Sequence, residues 1–147
     1  MSRFTYEGCK ITDEARRWVW STFQRRLGRH DMLLVRDNGE ITAVLPIEDM
    51  GENRCHHPIY SRNSGEWLTA EFCRAYYAHS FDELGYDECV AYAPPYSRKM
   101  GSFIDRIQEY LPGIKVHKER VLNEGKDREK WSISRESWDQ CKAVEEV

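Results

Sequence analysis

The chain contains no apolar run long enough to cross a bilayer, and its opening residues, MSRFTYEGCKI, lack the apolar core of a secretion signal. These absences lead us to expect a cytoplasmic protein that does not span a membrane. No Cys-x-x-Cys pair occurs: Cys9, Cys55, Cys73, Cys89 and Cys141 are odd in number and widely scattered, the pattern of reduced thiols rather than of a disulfide framework or a zinc motif. An excess of positive charge is also missing. Acids and bases interleave to a net charge of −3, so bulk charge gives no field for holding a nucleic-acid backbone. The basic residues around the first predicted helix, Arg16, Arg17, Arg25, Arg26 and Arg29, read as a solvated helix end. No internal repeat or low-complexity tract divides the chain.

What is present suits one globular core. A chain of 147 residues is about the size of a single domain, and 5 Trp, 8 Tyr and 5 Phe supply ordinary packing material. We assign one domain to residues 1–138 and expect residues 139–147 to be a loosely held tail.

Phe4, Tyr6 and Ile11 alternate loosely, as in a strand. Thr12 caps a helix expected from Asp13 to Leu27, with Gly28 placed to end it. Met32 to Val35 and Ile41 to Ile47 form a hairpin around Asn38-Gly39, whose residues tolerate the positive φ of a primed turn, and Pro46 is expected to end the second strand or place it at an edge. A further strand, interrupted by a proline, covers Arg54 to Ser61.

The next helix is expected over Glu66 to Leu84, with Leu68, Phe72, Ala75, Tyr76 and His79 on one face and Gly85 at its end. CVAYA (Cys89 to Ala93) is a short apolar run suited to a central strand, stopped by Pro94-Pro95. A helix from Ser97 buries Met100, Phe103, Ile104, Ile107 and Leu111. Two last strands, IKVHKERVL and REKWSIS, flank the turn NEGKD. The fold class is α/β of the α+β type: a mixed, mostly antiparallel sheet with helices on both faces.

That element order, spanning nearly the whole chain, resembles the GNAT superfamily of N-acetyltransferases. In that family a Gln/Arg-x-x-Gly-x-Gly/Ala loop presents backbone amides at a helix N-terminus to the pyrophosphate of acetyl-CoA. Arg62, Asn63, Ser64 and Gly65 fall at the corresponding place, with Arg62 and Gly65 matching the pattern. Trp67 departs from it, and its indole is expected to crowd the pyrophosphate unless it turns into the core. The resemblance also implies that Pro94-Pro95 splays two strands to admit the pantetheine arm. Phe103 stands where many members carry the tyrosine that protonates the leaving thiolate, which leaves Tyr96 as the substitute acid.

In texture the chain is similar to small GNAT-like bacteriophage proteins, with their charged hairpin KVHKERVLNEGKDREKWSIS. Trp67 and Phe103 lead us to expect a protein without efficient catalysis, needing no cofactor, and the likeness implies that it acts through contacts with virion or assembly proteins in the host cytoplasm or in the virion itself. The alternative is an N-acetyltransferase that uses acetyl-CoA and an unidentified amine. A third reading is a module that binds and inhibits a host protein.

Elsewhere, Cys55, His56 and His57 form the densest set of potential ligands, but adjacent residues of a strand face opposite ways, so only one histidine could share a metal with Cys55, and no metal site is expected. No cysteine or histidine lies in a nucleophile motif, and Cys73 and Cys89 read as packing residues. Glu48, Asp49 and His57 are the positional candidates for a base in an acetyl transfer.

Overall fold

A computed structural model describes residues 3–28, 30–62 and 65–145. Among the described residues, eight strands, β1 (Phe4–Lys10), β2 (Asp31–Asp37), β3 (Glu40–Gly51), β4 (Arg54–His56), β5 (Tyr60–Ser61), β6 (Glu88–Ala93), β7 (His117–Asn123) and β8 (Lys126–Ser134), form one sheet in the order β1-β2-β3-β4-β6-β8-β7, with β5 attached to β3. All pairings are antiparallel except that of β4 with β6.

β1 (Phe4–Lys10) pairs with β2 (Asp31–Asp37), which turns at Asn38 and Gly39 into β3 (Glu40–Gly51). Both turn residues have positive φ, 50° and 90°, as the primed turn demands. β3 runs through Pro46 to Gly51, so of the two outcomes expected of the proline the strand does not end there, and Pro46 instead lies at a local edge. β5 (Tyr60–Ser61) covers only Ala43 and Val44, and β4 (Arg54–His56) begins its pairing at Glu48. Pro46 falls between these partners, where its missing N–H is not required.

α1 (Asp13–Phe23) starts at Thr12, whose hydroxyl accepts the Ala15 N–H at 3.1 Å. It ends at Gln24, which adopts the left-handed cap expected of Gly28, so the helix is a turn shorter than its sequence suggests. Ala15 and Val19 pack against Met32, Leu34 and Val44 on one face of the sheet.

The other face carries the larger core. α2 (Ala70–Tyr77) is capped by Thr69 and continues into a π-helical segment, Ala78–Glu83. Its start lies four residues beyond Glu66 because residues 65–68 form a loop that the cap terminates. β6 (Glu88–Ala93) leads into α3 (Arg98–Tyr110), capped by Ser97, and then into β7 (His117–Asn123) and β8 (Lys126–Ser134). Phe72, Tyr76, Tyr77, Phe81, Ile104 and Ile107 are buried together between α2, α3 and the sheet.

The expected loose tail is instead a helix. α4 (Arg135–Glu145) buries Trp138 and Cys141 in the same core, and the Trp138 indole N–H and Lys142 ammonium both donate to the Asp82 carboxylate. The apolar pair Trp138 and Cys141 has helical i,i+3 spacing, so apolar burial holds the segment in place. Among the described residues, no helix is long and apolar enough to cross a membrane.

Candidate functional site

β4 pairs in parallel with β6 only through Arg54↔Glu88, Cys55↔Cys89 and His56↔Val90. After His56 the chain passes Pro58 and joins β3 as β5, while β6 continues to Ala93 against β8. The two parallel strands therefore part at Val90. The divergence is made on the β4 side by Pro58 and the switch to β3; Pro94-Pro95 end β6, which is the stop expected of them and not the splaying that the resemblance implies.

A cavity of about 210 Å³ lies between the parted strands and α3, walled by His57, Ile59, Tyr92, Phe103, Ile107 and Trp131 among others. A second, of about 460 Å³, adjoins it across Ile59 and Phe103 and is bounded by Gly65, Trp67, Lys99, Ser102 and Arg106. Lys99, Ser102 and Arg106 recur at i, i+3 and i+7, so one face of α3 carries two positive charges and a hydroxyl toward the loop before α2. Arg106 also fastens that loop: its guanidinium donates to the Leu68 carbonyl at 2.8 Å and to the Gly65 carbonyl at 3.4 Å. Gly65 has φ of 91°, a conformation that favours glycine, and a Cβ there would lie 3.6 Å from the Arg106 Nη1. From β1, the Tyr6 hydroxyl donates to the Trp67 carbonyl at 3.1 Å and pairs with the Thr69 hydroxyl at 2.8 Å.

The sequence-based site residues fare differently. Gly65 lies at the second cavity. Arg62 is exposed, and its backbone N–H donates to the Thr42 carbonyl at 3.0 Å. Asn63 and Ser64 lie outside the described residues. Trp67 is 3% exposed, its indole edge-on to Phe72 at 4.8 Å and its N–H donating to the Ser61 hydroxyl at 2.8 Å. The predicted crowding is thereby corrected: the ring turns into the core, and the cavity stays open beside it.

Tyr96 is 82% exposed, beneath the Arg120 guanidinium, and lines neither cavity. Its φ of 61° is held by a 2.6 Å bond from its backbone N–H to the Glu129 carboxylate. The role of acid given to it from the sequence is not supported by this position. Phe103 does face both cavities, as an apolar wall. Among the cavity's tyrosines are Tyr92 and Tyr77, and burial pushes the Tyr77 phenol well above its ordinary value, so it stays protonated.

His56 and His57 have different ring partners, although both line the first cavity. His56 meets Tyr92, with ring centroids 6.1 Å apart, whereas His57 meets Tyr76 on α2 at 4.7 Å. Glu48 is the β3 partner of His56 and shares its face, while the Asp49 carboxylate accepts the Gly51 N–H at 2.7 Å at an exposed register shift of β3. No group of three metal-ligating side chains is gathered among the described residues. The Cys55 and Cys89 sulfurs lie 3.5 Å apart; burial pushes the Cys89 thiol well up and Cys73 up to about 12. Such thiols pack and do not act as nucleophiles.

His57 lines the first cavity with a buried Nδ1 that has no hydrogen-bond partner, although part of its ring reaches solvent. Burial, helped by His56, pulls it down to about 3 from an ordinary 6.5. The unfolded chain thus takes up a proton near pH 6.5 and the folded chain only near pH 3, so stability should fall as pH drops across that interval. His57→Phe should flatten that limb of the stability-pH curve, measured by urea unfolding; an unchanged slope would refute the assignment.

The parallel pair that parts at its C-terminal ends, the capped helix after it and the fourfold flanking of the sheet by helices define the GNAT class of fold. Among solved structures, a spermidine N-acetyltransferase SpeG chimera from Vibrio cholerae and hSSAT matches with a TM-score of 0.70 at 10% identity, covering 95% of this chain and 99% of that one. The dodecameric spermidine N-acetyltransferase of Vibrio cholerae gives 0.66 at 9% identity, covering 92% of this chain and 96% of that one. The same enzyme with manganese ions gives 0.67 at 9% identity, covering 94% and 96%. Similarity at this level of identity establishes the fold. No protein-family model and no curated protein matches the sequence.

Sequence reasoning missed Lys99, Arg106 and Tyr92. The polar spacing on α3 was visible, but nothing local indicated that this face would meet the loop before α2.

Proposed function

We propose that the chain is an N-acyltransferase that takes a coenzyme A thioester, acetyl-CoA being the simplest donor, and acylates an amine. The observation that carries this reading is the pair of adjoining cavities that share Ile59 and Phe103 as wall, one basic beside a glycine loop and one mostly apolar between parted strands. Their chemistry fits the donor: Lys99, Arg106 and the loop suit phosphates, and the apolar cavity suits the arm.

The donor supplies an activated acyl carbon: the amine nitrogen bonds to it, the carbon–sulfur bond breaks, the nitrogen loses a proton and the thiolate gains one. The chain's own residues position and shield. Lys99 and Arg106 hold negative charge at the second cavity, and Phe103 is an apolar wall common to both cavities. The protonated Tyr77 phenol and the neutral His57 ring offer hydrogen bonds at the cavity wall. With its proton affinity so reduced, His57 is better suited to orienting a ligand than to stripping an ammonium of its proton.

The non-catalytic reading drawn from the bacteriophage resemblance rested on Trp67 and Phe103. The buried indole removes the first ground, and the adjoining cavities support donor binding better than a purely protein-contact role.

Calorimetry with CoA tests the reading. We expect binding, and a thermal upshift equivalent to about 2.7 kcal/mol at a hundredfold excess over Kd. Lys99→Glu, on an exposed position, should weaken CoA at least about tenfold, or 1.4 kcal/mol, without loss of fold. No binding at millimolar CoA would overturn the proposal.

A further inference from the structure

We infer that the cavity between the parted strands accepts an acyl chain several carbons longer than acetyl, so that the preferred donor is a short- to medium-chain acyl thioester of coenzyme A. This rests on the donor reading above and narrows it to a substrate class.

The cavity does not stop where the strands part. β4 and β6 separate beyond the His56↔Val90 pair, yet the lining continues past that level to Cys89 and Ile133, which lie opposite each other one residue earlier on β6. Along α3 it runs from Met100 through Phe103 and Ile104 to Ile107, a rise of about 10 Å at 1.5 Å per residue. Its volume, about 210 Å³, exceeds the ~150 Å³ of an engineered apolar cavity able to hold benzene.

Polarity is distributed unevenly along this length. At the open end, His57 Nδ1 and the Trp131 indole N–H are both buried without a hydrogen-bond partner. Trp131 lies opposite Ala91, just beyond the last pair that β4 makes with β6. An indole N–H can only donate, so it calls for an acceptor such as a thioester carbonyl. At the far end Ile104, Ile107, Val116 and Ile133 form the wall, and no charged side chain lines the cavity; the Tyr77 phenol and Ser132 are further polar groups of the lining, the Cys89 sulfur is engaged with Cys55, and Val116 and Ser132 separate the cavity from a polar pocket that holds Glu88, Lys115 and His117. A carbonyl at the open end directs its alkyl chain toward this apolar end. An acetyl methyl alone would leave it unfilled.

The test is a calorimetric series with CoA and with acetyl-, butyryl-, hexanoyl- and octanoyl-CoA on the unaltered protein. Affinity should rise about fourfold per buried methylene until the chain fills the compartment, then level off. Val116→Phe, which fills the far end from a partly buried loop position, should abolish the gain for hexanoyl-CoA and leave CoA and acetyl-CoA within about twofold of their original affinities. Equal affinity from acetyl to octanoyl would overturn the inference while leaving CoA binding intact. Failure of CoA itself to bind would overturn both this inference and the reading beneath it. If Val116→Phe does not fold, the chain-length series on the unaltered protein still decides.

Discussion

Trp67→Ala is expected to lower the free energy of unfolding by about 4 kcal/mol, the range for large aromatic truncations in a core. The indole is 3% exposed and rests edge-on against Phe72, which in turn contacts Tyr6 and Tyr76. Truncation leaves a void beneath the loop and strips the Ser61 hydroxyl of its 2.8 Å donor. Urea unfolding at unchanged m-value measures the loss. Were the indole an obstruction, the same variant would bind CoA more tightly at little loss of stability. We expect no gain in affinity; a loss below about 1 kcal/mol would contradict the packing role, given the usual cost of such changes.

Gly8→Ala carries the second large effect. A Cβ on Gly8 would come within 2.5 Å of the His79 ring, which is 5% exposed and lies in the π-helical continuation of α2. Gly8 lies on the edge strand, but the His79 ring beneath it is buried, so overpacking should cost about 3 kcal/mol, and Gly8→Val more. The consequence reaches the site. Tyr6 is two residues from Gly8 on the same face of β1, and its hydroxyl braces the loop at Trp67 and Thr69. Displacing β1 should therefore weaken CoA binding as well. His79→Ala in the Gly8→Ala background should recover part of the stability, a coupling that a double-mutant cycle reads directly. A Gly8→Ala variant within about 0.5 kcal/mol of the parent would show that the ring moves aside freely, as neutral surface changes do.

These two variants mark where the sequence stops being informative. The Asn38-Gly39 turn, the Thr12 and Ser97 caps and the Cys89 to Ala93 strand were legible because each follows from local chemistry: positive φ, an orphan amide, a short apolar run between breakers. Elsewhere the outcome turned on which strands cover an edge, on a left-handed cap placed before the obvious glycine, or on a distant partner. Pro46 stays within β3 because its neighbours on that edge are β5 and β4, which leave a gap there. Gln24 ends α1 before Gly28 is reached. The segment after Trp138 is helical because α4 finds Asp82 and the α2 core.

The candidate site divides the same way. Gly65 before a capped helix could be read directly, since left-handed backbone before a run of apolar residues is a local signature. That Trp67 points inward, that Tyr96 lies outside the cavities and that Phe103 lines both could not be read, because side-chain direction in a loop depends on what packs against it. By itself the sequence determined the order of elements apart from the split into β4 and β5 and the final helix, together with the mixed sheet and the glycine loop, all encoded in periodicity and turn chemistry. Only the tertiary structure decided that β4 and β6 part at Val90, that α3 turns Lys99 and Arg106 toward the loop, and that Trp67 fills the core in place of the cavity. Each of these depends on contacts between residues far apart in the chain, which no local pattern encodes.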